Sequence, residues 1–219
     1  MIRYRLCYAK YGDAKYVSHL DLIRLFTRAF KRAGIRLTYS EGFNPHPKMA
    51  IGLPLSVGVT SECEYMDAET EHALTGKNIE KLNRVLPLGI HINGAAERTP
   101  GMKKLADIRW AAYTVTVTGA PLDAQQIEAF MERADVIVEK KTKRKTTEAD
   151  ILPDIANLAL SCAEADGAVL SMILSAGPSA NLKPELVVSA MEQYIPGFFV
   201  TDVDIHRTKI LADDGRALM

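Results

Sequence analysis

The residues best suited to chemistry lie in the first quarter of the chain. Ser18, His19 and Asp21 sit where a helix should begin, and His46 lies in the loop Ser40-Glu41-Gly42-Phe43-Asn44-Pro45-His46-Pro47-Lys48. A helix start offers free N–H groups and a partial positive charge suited to phosphate or carboxylate. If the loop folds over that start, His19 and His46, with Asp21, would form an acid–base pair or hold a metal. The plainer reading is a capped helix with a solvated His19. The loop itself carries an amide, an imidazole and an ammonium between two prolines that exclude helix and regular ladder. Such a pre-organised loop loses little entropy on binding. Its candidate contact residues are Ser18, Tyr39, Phe43, Asn44, His46 and Lys48; the alternative is a structural crossover with Asn44 making an Asx turn.

Two further sets suggest a polyanion. Arg24, Arg28 and Lys31 recur at i, i+4 and i+7, with Arg32 beside them. No acidic residue stands four positions from Arg28 or Lys31, although Asp21 can pair with Arg24. Cations spaced at about 5–6 Å on a helix face can follow a phosphate backbone. The second set is Lys140, Lys141, Lys143, Arg144 and Lys145, interrupted only by Thr142. At a hairpin tip these would lie on phosphates without reading sequence. Each set could instead be an ordinary solvated surface.

The elements that must position these groups follow from periodicity. Ile2, Tyr4, Leu6 and Tyr8 alternate with polar residues, giving a strand over 2–10. Ser18 caps a helix running to Ala33, whose apolar stripe is Leu22, Phe26, Ala29, Phe30 and Ala33. Gly34 ends it. Strands are expected over 35–39, 49–55, 62–69 and 90–95, with a short helix over 78–86. Thr99-Pro100-Gly101 opens a connector. A second pass then predicts a strand over 109–118, a helix over 121–134, paired strands over 135–140 and 146–151, a strand over 169–176, a helix over 183–194 and a closing strand over 198–211. The fold class is thus α+β, with two tandem ferredoxin-like (βαββαβ) domains built on antiparallel sheets. Their expected bounds are 1–98 and 109–219, joined by 99–108.

Composition narrows the function. The chain has 219 residues, 47% hydrophobic and 25% charged, with zero formal net charge. Residues 1–48 nevertheless hold 10 basic and 3 acidic side chains, and residues 1–105 hold 16 and 10. Such asymmetry hints at a polyanion-facing surface. No apolar run approaches the ~18 residues of a membrane span, and the start is too charged for a signal peptide, so a cytoplasmic chain is expected. Cys7, Cys63 and Cys162 are far apart and form no CxxC pair, which predicts reduced thiols and neither metal nor other cofactor. Sequences of the form GxGxxG, GxxxxGK[ST], GxSxG and HExxH are absent.

Tyr16-Val17-Ser18-His19-Leu20-Asp21-Leu22, Arg28-Ala29, the stretch from Tyr39 to Pro47, Lys140 to Asp150, and Asn181-Leu182-Lys183-Pro184-Glu185 together resemble the radical SAM-linked protein family. That resemblance implies a bacterial domain of unknown function, encoded beside or fused to a radical SAM enzyme, often near genes for ribonucleases and ribosomal proteins. This chain lacks the CxxxCxxC triad that ligates such an enzyme's cluster, so it would be a partner and not the enzyme. The leading expectation is an RNA-binding accessory protein that presents RNA or a ribosomal component to that enzyme. The alternatives are a small hydrolase or RNA-processing enzyme using His19, His46 and Asp21, or a purely structural adaptor.

Overall fold

A computed structural model of the chain describes residues 1–141 and 146–219, with side chains outside 140–146. The chain divides into two units: Met1–Ile108 with Lys209–Met219, and Arg109–Thr208.

Unit 1 begins with β1 (Ile2–Lys10), then α1 (His19–Arg32), β2 (Met49–Ile51), β3 (Thr60–Thr70), α2 (Gly76–Val85) and β4 (Ile90–Glu97). The sheet runs β4-β1-β3, and β2 also pairs with β3; these pairs are antiparallel. Alternation along β1 sends Tyr4, Leu6 and Tyr8 to one face. There they join a core with Leu22, Phe26 and Phe30 of α1, Leu82 of α2 and Ile90 and Ile92 of β4. Phe26 meets the edge of Tyr8 at 5.0 Å between ring centres, the T-shaped arrangement aromatic pairs favour. Lys10 is buried at the end of β1 and donates to the carbonyls of Lys15 and Val17 at 3.2 and 2.9 Å. This pins the short turn Gly12–Tyr16 that delivers the chain into α1.

The opposite face of β1 is polar. Arg5 is fully buried and stands directly across from Asp67. Its guanidinium makes a two-pronged pair with that carboxylate at 2.7 and 2.9 Å and also donates to the carbonyls of Lys103 and Leu218. Arg98 donates to the same carboxylate at 3.0 Å.

Unit 2 contains β5 (Ile108–Gly119, from Arg109), α3 (Ala124–Met131), β6 (Ile137–Lys141), β7 (Thr146–Asp150), β8 (Ile155–Glu164), β9 (Gly167–Ser175), α4 (Pro184–Tyr194) and β10 (Val200–Ala212, through Thr208). Its order is β10-β5-β9-β8, with β6 and β7 forming a separate two-stranded ladder. The β5–β9, β8–β9 and β6–β7 pairs are antiparallel. Pro184 at the first position of α4 supplies a backbone angle already set for a helix. No helix among the described residues is long and apolar enough to cross a membrane.

Several expected elements differ. Residues 35–39 make only single bridges, Leu37 to Thr70 and Tyr39 to Pro47; at the second, proline supplies no N–H to extend a ladder. The strand expected over 49–55 stops at Ile51, before Pro54. The strand β8 was not anticipated: eight of its ten positions are exposed at least in part, with no simple alternation after Leu158. It pairs with β9, while β6 and β7 pair with each other outside that sheet.

Since Asp67 holds two guanidiniums, one of them fully buried, Asp67→Ala should cost about 3–5 kcal/mol by leaving the buried charge of Arg5 uncompensated. Urea unfolding of the two proteins measures this, and a loss under about 1 kcal/mol would show that the Arg5 site is more hydrated than its burial indicates.

Candidate nucleic-acid interface

The helix α1 is capped as the sequence predicts. Ser18 Oγ accepts from the Asp21 N–H at 3.3 Å, and its hydroxyl donates to the Asp21 carboxylate at 2.8 Å. Arg24 joins the same carboxylate at 3.1 Å. The Ser18 hydroxyl first, then the Arg24 guanidinium, hold the Asp21 carboxyl below the usual aspartate range. An anionic Asp21 also suits the positive end of the helix.

Burial of Leu22, Phe26, Ala29 and Phe30 turns the basic face outward. Arg24, Arg28 and Arg32 line one open cleft of about 520 Å³, with Asp21 at its head and Val85 and Pro87 across from them. Lys31 does not share it. Its side chain lines a second groove of about 580 Å³ with Arg36, Tyr39 and Glu71. The row is therefore i, i+4, i+8 and not the expected i, i+4, i+7. Among the described residues no ion pair engages Arg28, Lys31 or Arg32. The Arg24–Asp21 pair is two-thirds exposed, and such pairs hold side chains only weakly.

The proline loop is closed on itself. The Ser40 N–H donates to the His46 carbonyl at 2.9 Å, the His46 N–H donates to Ser40 Oγ at 3.1 Å, and that hydroxyl lies 2.9 Å from His46 Nδ1. These bonds leave Phe43 fully exposed and Tyr39 half exposed; Asn44 is exposed as well. Lys48 is not available as expected, because its ammonium reaches the Glu69 carboxylate at 3.2 Å. Glu69 also accepts from Arg3 at 3.0 Å and from the Thr38 hydroxyl at 2.8 Å. Arg3, Thr38 and Lys48 together lower the Glu69 pKa from 4.5 to about 2.

The expected histidine site is not assembled. Among the described residues no hydrogen bond joins His19 to His46, and no group of three His, Cys, Asp or Glu could hold a metal. His19 is part-buried, and its Nδ1 has no partner there. Lys140 and Lys141 continue β6, with Lys141 paired opposite Thr146 of β7. Their side chains, and Lys143, Arg144 and Lys145, lie outside the described residues. Arg36, bordering the second groove, was missed because its strand-like surroundings gave it no helical spacing.

Residues 3–184 match the family described as "Uncharacterized protein conserved in bacteria (DUF2344)". The chain belongs to this family. No curated protein matches it. Among solved structures, 93% of this chain aligns with a chain of a Cbf5–Nop10–Gar1 complex, covering 48% of that chain at 9% identity and a TM-score of 0.49. An archaeal box H/ACA sRNP Nop10–Cbf5 complex gives 93% and 47%, at 9% identity and 0.48. The chain thus spans about half the length of these two. A protein described as unknown from Galdieria sulphuraria is covered over 98% of its length, at 16% identity and 0.28. Likenesses this distant carry no functional assignment.

The Glu69 cluster should show in acid. A carboxyl whose pKa is lowered on folding adds stability above its unfolded value, and that contribution disappears as pH falls through the folded value. Stability supplied by Glu69 is therefore present above pH 4.5 and lost toward pH 2. Glu69→Gln should flatten the pH dependence of unfolding in that window, measured by denaturant titration at each pH. Parallel curves for the two proteins would contradict the assignment.

Proposed function

We propose that this chain binds RNA, with the cleft along α1 as the phosphate-contacting surface. The observation that carries the reading is the convergence of Arg24, Arg28 and Arg32 on one open cleft, two of them without an ion pair among the described residues. Guanidinium is the side chain best matched to phosphate, since its planar fork donates two parallel hydrogen bonds. Cations already held by carboxylates contribute little to such binding, because engaging phosphate would first break their pairs. Arg28 and Arg32 carry no such cost.

The second groove extends the surface. Lys31 and Arg36 border it together with Tyr39, and Phe43 is exposed on the adjoining loop. Exposed aromatics beside cations suit single-stranded RNA, whose unpaired bases can stack on them. The sequence of the 140–145 segment would add five more cations. The strand orders β4-β1-β3-β2 and β10-β5-β9-β8, each with two intervening helices, support reading both units as ferredoxin-like. The resemblance to the radical SAM-linked family supplies the partner in this reading: an enzyme to which the bound RNA or ribosomal component is presented.

Filter binding of a single-stranded oligoribonucleotide across salt tests the reading. The logarithm of the binding constant should fall linearly with the logarithm of salt, by about 0.7 for each phosphate neutralised. Arg28→Ala and Arg32→Ala should each weaken binding and shallow that slope by up to ~0.7, while Arg36→Ala, whose native side chain pairs with Glu71, should do less. Absence of binding at low salt would remove the proposal, as would slopes unchanged in both arginine variants.

A further inference from the structure

Cys7 and Cys63, 56 residues apart in sequence, place their sulfurs 2.6 Å from each other. The contact is built by the β1–β3 ladder. Cys7 stands opposite Tyr65, so Cys63, two residues away, is on the same face of the sheet. Between Tyr8 and Lys10 the register slips, Tyr8 facing Glu64 and Lys10 facing Ser61, so one extra residue sits in β3 at the cysteine. Diagonal neighbours on a regular ladder stand about 7–8 Å apart; here the irregularity brings the two side chains together. On its other side Cys7 faces Gly94 of β4, which puts no side chain over the sulfur.

The two thiols are not equivalent. Cys7 is buried, while Cys63 is partly open to solvent. The hydrogen bond from Cys7 draws the Cys63 thiol below its ordinary pKa, with help from Tyr65. The same contact and burial raise Cys7. One sulfur is thus reachable and inclined to ionise, and the other is held behind it as a thiol. That is the division between an attacking and a resolving cysteine.

We propose that Cys7 and Cys63 are an oxidisable pair that closes to an intramolecular disulfide, tying β1 to β3. The oxidant is a small-molecule disulfide. Cys63 thiolate attacks one of its sulfurs, the S–S bond breaks and one small thiolate leaves, giving a mixed disulfide on Cys63. Cys7 then yields its proton to the departing thiolate and attacks the Cys63 sulfur. The second small thiolate leaves and takes a proton from solvent, matching the proton lost when Cys63 ionised. Two protein thiols are oxidised and one small disulfide is reduced to two thiols. A bond about 2 Å long requires the sulfurs to close by only about half an ångström, and both strands already hold the side chains on one face. Cys162, exposed on β8 of unit 2, takes no part in this contact.

The full chain, reduced and then incubated with oxidised glutathione, gives the test by intact mass and alkylation. Two of its three thiols should be lost to iodoacetamide and the mass of the singly alkylated product should fit an internal disulfide. Proteolysis without reductant should release a peptide pair joined through Cys7 and Cys63. The oxidised form should also unfold at a higher temperature than the reduced form, and reductant should reverse the shift. In Cys7→Ala, glutathione should remain on Cys63. The idea is overturned if all three thiols of the wild-type chain stay alkylatable after incubation, or if wild-type Cys63 keeps its glutathione because Cys7 does not displace it.

Discussion

The rotation of α1 about its own axis governs this molecule's chemistry, and Phe26 and Phe30 set it. Both rings are fully buried, Phe26 against the edge of Tyr8 on β1. Burying such a side chain is worth about 1.5–3 kcal/mol, whereas an exposed ion pair is worth at most about 1 kcal/mol. The arginines therefore do not choose their direction. The core chooses it, and Arg24, Arg28 and Arg32 take the outer face with α2's end as the far wall of their cleft. Lys10, bonded beneath the turn that precedes the helix, fixes where that face begins.

The basic charge of the first 48 residues separates into two populations once their neighbours are known. Arg3, Arg5, Arg24, Arg36 and Lys48 each meet a carboxylate, and Lys10 is spent on carbonyls. Arg5 is structural in the strict sense: it is dry, its carboxylate lies directly across the ladder, and removing Asp67 leaves its charge buried. Arg28, Lys31 and Arg32 have no such employment among the described residues. The distinction matters because net charge alone cannot separate a cation that holds the fold from one that faces a ligand.

Much of this was legible in the sequence where one local rule was in force. Ser18, the Leu22–Phe26–Phe30 stripe and Gly34, whose φ of 74° ends α1 at little cost, mark the helix almost to the residue. The two prolines mark the 40–48 loop. Long-range partners were not legible. Lys48 is taken by Glu69 and Arg36 by Glu71, both from β3 or its end, and no spacing announces either. Lys31 and Arg32 differ only in which neighbour stands beside them. The strand β8 hid because its second half shows no apolar alternation. Cys7 and Cys63 read as distant thiols, although each lies in a stretch whose strand character was evident; pairing those strands in register is what brings them together.

The most direct measurement of the central claim is arginine footprinting with phenylglyoxal, comparing the free chain with the chain bound to a single-stranded oligoribonucleotide and reading modification by peptide mass. Arg24, Arg28 and Arg32 should be modified in the free protein and shielded together when RNA binds. Equal modification of the three with and without bound RNA would contradict it.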